Sequence, residues 1–518
     1  MPRTVPALVL LTLLAVPVGP AAAAPQEGSK TVAEKDKPPA EPEKPVAKPA
    51  VTRHRIALGG RTIPYTATAA TIDLKNAKGD LIGRMFYVAY TEEGADAKAR
   101  PLTFVFNGGP GSATIWLHMG SFGPVRVETS DAQPTPPPPY AVTDNAESLL
   151  DKTDLVFIDA MGTGFSRIVG KGEPKDFYGT DPDVEAFAQF IERYISANNR
   201  WNAPKFLLGE SYGTTRAAAL LAAMQERGVA FNGAILVSSY LNAYDDFNGP
   251  AFSSDLPYEL YVPTMAATAW YHGRLDPKPA SLETIVAEAR RFALGDYAHA
   301  LAQGSHLGQA ERDVVVATLH RLTGMPEALI RHANLRLSPD RFEKELLRDG
   351  RRTVGRLDAR FTGIDRDAAG ESPEFDAADA AIRAAFTGAF NAYIRGELKF
   401  ETDDLYKPSN YGEVGREWDD HHRVGRGRWP MPDVAEDLRE AMSKNPRLKI
   451  FSANGYFDFA TPFFETEYTL AHMGLDPSLE KNITFGYYPS GHMIYLHAPS
   501  RRQMKLDLAR FYDDATAR

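Results

Sequence analysis

The feature that most constrains the fold is a serine in a Gly-Glu-Ser-Tyr-Gly turn at residues 209–213. Before it, the apolar run 206–208 predicts a buried strand. After it, the Ala/Leu-rich run 214–227 predicts a helix that ends at Gly228. Strand, tight turn and helix are the context in which Gly-x-Ser-x-Gly lifts a serine hydroxyl above a sheet. We therefore expect Ser211 to be a nucleophile.

Alternating strands and helices around this turn predict an α/β class with a mostly parallel sheet. Continuous apolar runs are typical of strands whose two faces are both buried. Such runs lie at 101–106, 154–159, 233–238, 448–452 and 482–488. Helical patterns lie at 183–196, 434–443 and 465–472. Two earlier segments, 61–69 and 81–90, predict an antiparallel hairpin.

The alternation of predicted strands and helices stops near Tyr240, and the pattern of residues 248–428 predicts mainly helices. Ser338-Pro339 is typical of a helix start, and Asp376 begins another helical pattern. We interpret this stretch as a helical cap inserted into the core. The core is then formed by residues 53–247 and 429–518.

The N-terminus predicts an exported protein. Arg3, an apolar run and four alanines at 21–24 match a signal peptide over residues 1–24, too short and too interrupted for a membrane span. Residues 25–52 are rich in Pro, Lys, Glu and Ala and predict a disordered linker. Export without a single cysteine indicates a bacterial periplasmic or extracellular protein with no disulfides.

The formal net charge of −9 over 518 residues, without a long basic block, argues against nucleic acid as a partner. The cluster Trp418-Asp-Asp-His-His422 does not have the spacing of a recognised metal site, and we expect a solvated group at the cap edge. No metal and no cofactor are expected. The sequence leaves the oligomeric state open.

A serine nucleophile needs a general base, and the base needs an orienting acid. On a sheet of this kind, an α/β-hydrolase fold, the acid and then the histidine follow the serine in the chain, on loops at strand ends. Asp458 follows the predicted strand 448–452, and His492 follows the predicted strand 482–488. We expect Ser211, Asp458 and His492 to form the catalytic set.

The chemistry also needs backbone donors for the oxyanion. One is expected to be the N–H of Tyr212, directly after the nucleophile. The other is expected from the glycine-rich turn 107–111, because glycines let the backbone approach the substrate closely. Within that turn we predict the N–H of Gly109.

The motifs Asn-Gly-Gly-Pro-Gly-Ser, Gly-Thr-Gly-Phe-Ser, Gly-Glu-Ser-Tyr-Gly, Gly-x-x-Asp and Gly-His-Met, in this order, resemble the serine carboxypeptidases. The resemblance extends from about residue 80 to the C-terminus, with the cap matched only in position. It implies release of C-terminal residues from peptides at acidic pH. It also implies that Asn107 and Glu210 recognise the terminal carboxylate and that Met493 lines the leaving-residue pocket.

Two positions depart from that family. Val105 stands where the family usually has Trp, and Ser121 stands where it has a second carboxylate-recognising Glu. The chain is thus expected to be an exported serine hydrolase of carboxypeptidase type. An esterase, amidase or acyltransferase on the same scaffold, or a non-catalytic peptide-binding envelope protein, remain alternatives.

Overall fold

The computed structural model describes residues 47–245, 247 and 254–517. The predicted signal peptide and most of the predicted linker lie outside these residues. The strands are β1 Ala50–Leu58, β2 Arg61–Lys75, β3 Leu81–Glu92, β4 Leu102–Phe106, β5 Val125–Val127, β6 Val142–Asp144, β7 Asp154–Ile158, β8 Arg167–Ile168, β9 Lys205–Ser211, β10 Gly233–Ser239, β11 Thr353–Val354, β12 Thr362–Gly363, β13 His422–Val424, β14 Gly427–Trp429, β15 Lys449–Gly455 and β16 Ile483–Tyr488.

The α-helices alternate with the later strands and also fill the predicted cap. They are α1 Ile115–Leu117, α2 Thr180–Ala197, α3 Tyr212–Glu226, α4 Leu256–Tyr271, α5 Leu282–Phe292, α6 Ala298–Gln303, α7 Gln309–Thr323, α8 Glu327–His332, α9 Pro339–Glu345, α10 Ala377–Gly396, α11 Tyr411–Val414, α12 Ala435–Lys444, α13 Phe463–His472 and α14 Ala498–Thr516. No helix within the described ranges is long and apolar enough to cross a membrane.

One large sheet has the strand order β1-β2-β3-β7-β4-β9-β10-β15-β16, with β8 added beside β3. The first three strands pair antiparallel, and β3 is antiparallel to β7. From β7 to β16 each neighbouring pair is parallel. The predicted α/β class with a mostly parallel sheet is confirmed. The first strand begins at Ala50, so the last three residues of the predicted linker belong to the sheet.

The central strands read as unbroken apolar runs because both faces of the sheet are covered. On β4, Val105 packs into the core on one face, and Phe104 packs into the core on the other. Helices α2, α3 and α12 contribute to the second core, whereas α10 and α14 contribute to the first. This double cover holds the C-terminal ends of β9, β15 and β16 in fixed positions at one edge.

The helical stretch between β10 and α12 divides between two cores. Helices α4–α9 share a third apolar cluster with Phe457, Phe459 and Phe463. Helix α10 instead packs into the first core, where Phe386 contacts the ring of Trp116 in α1 at 5.2 Å between centroids. The stretch therefore covers the loops that follow β15 and also forms part of the main core.

Candidate active site

Ser211 is the last residue of β9 and immediately precedes α3. Its backbone has φ 60° and ψ −133°, a left-handed conformation that costs free energy for a residue with a Cβ. The turn is so tight that a Cβ on Gly209 would lie 2.2 Å from the carbonyl oxygen of Gly213. Glycine is therefore required there, and the strained turn presents Ser211 at the N-terminus of a helix, where negative charge is favoured.

Asp458 and His492 form a buried pair on the loops after β15 and β16. His492 Nδ1 lies 2.9 Å from Asp458 Oδ2, and the two residues are 4% and 0% exposed. This contact leaves the other ring nitrogen, Nε2, available to a partner in the cavity. The pair thus has the geometry of a general base with an orienting carboxylate.

Several hydrogen bonds hold Asp458 in this position. Its Oδ1 accepts from the backbone N–H groups of Ala460 and Thr461 at 2.8 and 3.0 Å. Its Oδ2 accepts from the Thr461 hydroxyl at 2.9 Å. The histidine is fixed as well, because Ser238 Oγ donates to the carbonyl oxygen of His492 at 2.7 Å. These hydrogen bonds restrict Asp458 and His492 to one arrangement.

The charges around His492 favour its protonated form. Burial lowers the pKa of His492, but the charge of Asp458, its hydrogen bond and the charge of Glu210 outweigh burial and raise the pKa above 6.5. An imidazolium that forms during proton transfer is therefore stabilised. The same balance means that His492 holds a proton, and cannot act as a base, at low pH.

The glycine-rich turn lies directly against the nucleophile. A Cβ on Gly108 would come within 2.5 Å of the backbone nitrogen of Tyr212, so the predicted oxyanion donors lie on touching segments. Gly109 has φ 111°, in the region that favours glycine. The side chain of Tyr212 points elsewhere, and its hydroxyl donates to Asp183 at 3.4 Å. Only the Tyr212 backbone is available to the site.

Asn107 and Glu210 contact each other in the interior beside Ser211. Asn107 Nδ2 donates to Glu210 Oε1 at 2.6 Å, and Asn107 Oδ1 accepts from the backbone N–H of Leu117 at 3.0 Å. The pair is therefore locked in one orientation, with Glu210 only 3% exposed.

Burial raises the pKa of Glu210 to about 7, despite the opposing charge of His492 and the nearby Tyr495 and Asn107 side chains. The Tyr495 hydroxyl lies beside the Glu210 carboxyl group and acts on it through a hydrogen bond, which opposes the effect of burial. Glu210 is thus a carboxylic acid at acidic pH and a carboxylate at alkaline pH.

A cavity of about 360 Å³ brings most of the predicted residues together. Its lining includes Asn107, Gly109, Glu210, Ser211, His492 and Met493. Asp458 lies behind His492, outside the lining. The residue types provide a nucleophile, a base, an acid and an apolar wall, which is a set suited to acyl transfer.

The two positions that differ from the serine carboxypeptidase pattern lie away from this cavity. Val105 is buried in β4 within the core. Ser121 is fully buried, and its hydroxyl donates to the carbonyl oxygen of Leu117 at 2.5 Å. Ser121 therefore supplies no group to a ligand beside Ser211, and Glu210 is left without a second acid at that position.

The expectation of a solvated cluster at residues 418–422 is wrong for one member. His422 is 4% exposed and lies between Asp181 and Asp437, with N–O distances of 2.7 and 2.8 Å. Burial lowers the pKa of His422, but the two carboxylates raise it more, to about 9. His422 thus joins β13 to α2 and α12 through a partly buried ion triplet, which forms only when the chain folds.

Three further residues that shape the site have no local sequence signal. Thr461 supports Asp458, as described above. Arg216 forms a buried ion pair with Asp183, at 2.7 Å, and donates to the carbonyl oxygen of Asn107 at 2.7 Å. Arg356 projects into the cavity from the loop between β11 and β12. Their roles depend on contacts between segments far apart in the chain, and no motif contains them.

Comparisons with known proteins show which proteins this chain resembles. A family model described as serine carboxypeptidase matches residues 74–283, a range that contains Asn107, Glu210 and Ser211 but not Asp458 or His492. The resemblance to serine carboxypeptidases is confirmed over that range. No curated protein sequence matches the chain at a significant level.

Among solved structures, Kex1Δp, a prohormone-processing carboxypeptidase from Saccharomyces cerevisiae, is similar with a TM-score of 0.52 and 16% identity, covering 86% of this chain and 92% of its own. A proline iminopeptidase from Mycobacterium smegmatis matches with a TM-score of 0.35 and 13% identity, over 86% and 98%. A carboxyl esterase from Bacillus coagulans matches with 0.36 and 11%, over 87% and 99%. At these identities the likeness to Kex1Δp concerns the fold alone.

Proposed function

We propose that this chain, which resembles the serine carboxypeptidases, is an exported serine hydrolase that releases C-terminal residues from peptides through an acyl-enzyme on Ser211. The observation that carries the proposal is the Asn107–Glu210 pair in the same cavity as Ser211 and His492. A buried acid that becomes protonated near pH 7 is of little use to a plain esterase. It suits recognition of a substrate carboxylate beside the scissile bond.

The shared cavity of Ser211 and His492, with Asp458 behind the histidine, supports the following reaction. Ser211 Oγ attacks the carbonyl carbon of the last peptide bond while His492 Nε2 takes its proton. The negative charge that develops on the carbonyl oxygen is stabilised by the N–H groups of Tyr212 and Gly109. Asp458 stabilises the imidazolium that forms. His492 then gives its proton to the leaving amine, and the C–N bond breaks.

Water completes the cycle by attacking the ester on Ser211. His492 takes a proton from that water, a C–O bond forms to the acyl carbon, and Ser211 Oγ leaves with the proton. The shortened peptide is released with a new carboxylate. No group outside the chain and water is needed to balance these steps.

Substrate selection in this proposal depends on two lining groups beside the catalytic set. When Glu210 is protonated, it donates a hydrogen bond to the terminal carboxylate, and two ionised carboxylates are not forced together. The thioether of Met493 forms part of the wall next to His492 and suits an apolar leaving residue.

A second candidate is an esterase, amidase or acyltransferase on the same scaffold. The position of Ser121 favours it, because the residue expected to supply a second acid is buried outside the cavity. A non-catalytic peptide-binding protein of the envelope is a weaker candidate, since binding alone does not require the strained turn at Ser211 together with the Asp458–His492 pair.

The proposal extends to localisation and domain layout. We infer export by a signal peptide at residues 1–24 to the periplasm or outside of a bacterial cell, followed by a linker whose last three predicted residues, 50–52, belong to the first strand. We propose a hydrolase core of residues 53–247 and 429–518, to which residues 50–52 and helix α10 are added, with the rest of 248–428 as a cap that sets specificity. A peptide is the expected partner.

Labelling with a fluorophosphonate tests the nucleophile. We expect the label on the tryptic peptide that contains Ser211, and none on the Ser211→Ala protein. Ser112 also lines the cavity, so Ser112→Ala is a matched control that keeps the label. A label that persists in Ser211→Ala, or an unlabelled wild type, contradicts the assignment.

A further inference from the structure

Backbone hydrogen bonds connect the loop between β11 and β12 to the loops that carry Asp458 and His492. The backbone N–H of Phe459 donates to the carbonyl oxygen of Arg356 at 3.0 Å, beside Asp458. The backbone N–H of His492 donates to the carbonyl oxygen of Leu357 at 2.6 Å. Arg356 therefore has a fixed backbone position between the acid and the base, although it comes from the helical insert.

The side chain of Arg356 places a positive charge in the cavity, and no other described residue forms a hydrogen bond or ion pair with it. It lines the same space as Ser211 and Glu210 and is exposed there. Within the described ranges, its guanidinium forms no hydrogen bond and no ion pair, and nearby acids act on it through charge alone. An arginine with five free donors is matched in shape to a carboxylate.

Three other charged residues that line the cavity, Asp376, Asp379 and Arg383, have hydrogen-bond partners of their own. Arg383 forms a two-pronged ion pair with Asp379 at 2.8 and 2.9 Å. Asp376 caps α10 by accepting from the N–H of Ala378 at 2.9 Å, and its second oxygen accepts from the N–H of Leu357 at 2.9 Å. Asp376 and Asp379 therefore do not need Arg356 as a partner. Among the described residues that line the cavity, Arg356 is thus a cation whose guanidinium is left for a ligand.

We propose that Arg356 binds a carboxylate of the substrate and is a specificity-determining residue of this enzyme. The inference rests on the proposed function and deepens it. Because Ser121 is buried outside the cavity, Glu210 is the acid that contacts Asn107 within the described residues. Arg356, which lines the same cavity from a different segment of the chain, supplies a charge-assisted contact. The carboxylate is either the C-terminal group or an acidic side chain of the leaving residue.

Three substrates separate these sources: N-blocked Phe-Leu with a free C-terminal carboxylate, N-blocked Phe-Leu amide, and N-blocked Phe-Glu amide. Arg356→Gln is expected to raise KM for one of the two peptides that carry a carboxylate, Phe-Leu or Phe-Glu amide. The expected rise is about 10- to 100-fold, the range for a lost charge-assisted hydrogen bond. The Phe-Leu amide should change by less than about threefold. Arg356→Lys should recover part of the loss, because it keeps the charge without the planar fork.

Arg352→Gln is the matched control. Arg352 is exposed near the same loop, and within the described residues its guanidinium donates to the backbone carbonyl oxygens of Gly350 and Arg351. It should retain wild-type KM for all three peptides. Selective loss on the free acid assigns the C-terminal carboxylate, and selective loss on Phe-Glu amide assigns the side chain. Equal changes on all three, or none, overturn the inference.

Binding keeps this test separate from the proposed activity. Calorimetry of the same peptides with Ser211→Ala, with and without Arg356→Gln, measures Kd without turnover, and unchanged far-UV circular dichroism verifies folding. Selective loss of binding supports the role of Arg356 even when the wild type hydrolyses none of the peptides. Hydrolysis by the wild type with no selective loss in either assay overturns the role of Arg356 alone.

Discussion

Glu210→Gln isolates the effect of one buried proton on substrate binding. Burial raises the pKa of Glu210 from 4.5 to about 7. Below pH 7 the carboxylic acid can donate to a substrate carboxylate, whereas above pH 7 the two charges repel. Glutamine donates through its amide at every pH and has nearly the same shape. The substitution should therefore remove a pH dependence rather than remove binding.

The expected size follows from the titration curve. With a pKa of about 7, the protonated fraction falls from about 0.99 at pH 5 to about 0.1 at pH 8. If only the protonated form binds a free-carboxylate peptide well, KM should rise about tenfold over that range, or roughly 1.4 kcal/mol. Glu210→Gln should change by less than about twofold over the same range.

The assay compares matched peptides with a free carboxylate and with a C-terminal amide. Protonation of His492 affects the turnover of both, so the ratio of their KM values reports on Glu210. Wild-type ratios should rise with pH, and Glu210→Gln ratios should stay level. Parallel KM curves for acid and amide in the wild type would show that Glu210 does not bind the substrate carboxylate.

The stability of the folded protein tests the raised pKa of Glu210 independently of substrate binding. Because the folded-state pKa of this acid is raised, the folded protein holds a proton that the unfolded chain loses, and stability falls as pH rises from 4.5 through about 7. A shift of this size corresponds to roughly 3 kcal/mol above pH 7. Glu210→Gln should raise Tm relative to the wild type at pH 8 and not at pH 4.

Three other perturbations test the surrounding structure. Asp458→Asn should lower kcat by about a thousandfold or more while peptide binding by calorimetry persists, because the histidine loses the partner that stabilises its charged form; near-wild-type kcat would mean that another acid acts. Arg216→Met should lower the free energy of unfolding by about 3 kcal/mol in urea titrations, since it leaves Asp183 buried and unpaired; a loss not partly reversed by adding Asp183→Asn would refute that cause. His422→Gln should lower Tm most below pH 6.5, and the deficit should shrink as pH rises through about 9, because the raised pKa of His422 gives stability that disappears when its proton is lost; a deficit independent of pH would show that packing, not charge, is responsible.

Much of the core could be predicted from the sequence because its strands are buried on both faces. Residues 206–208 and 233–238 read as strands from apolar content alone, and the structure extends each by only a few residues. The loops carrying Asp458 and His492 could be found because chain order and strand ends restrict where they lie. Their contact at 2.9 Å is the consequence of β15 and β16 being neighbours.

The parts that escaped prediction depend on long-range contacts. His422 looks like a surface residue in a charged run, and only the folded chain brings Asp181 and Asp437 to it. Helix α10 reads as part of a cap, yet its apolar side belongs to the main core. Arg356 stands in an unremarkable loop, and its place in the cavity follows from backbone pairing with two distant loops.

Product analysis tests the central claim most directly. A mixed library of unblocked peptides is incubated at pH 5 to 7 with the wild type and with Ser211→Ala, and the products are identified by mass spectrometry. The proposed activity predicts successive loss of single C-terminal residues by the wild type and intact peptides with Ser211→Ala. Internal cleavage, release from the N-terminus, or C-terminal loss that survives Ser211→Ala would contradict it.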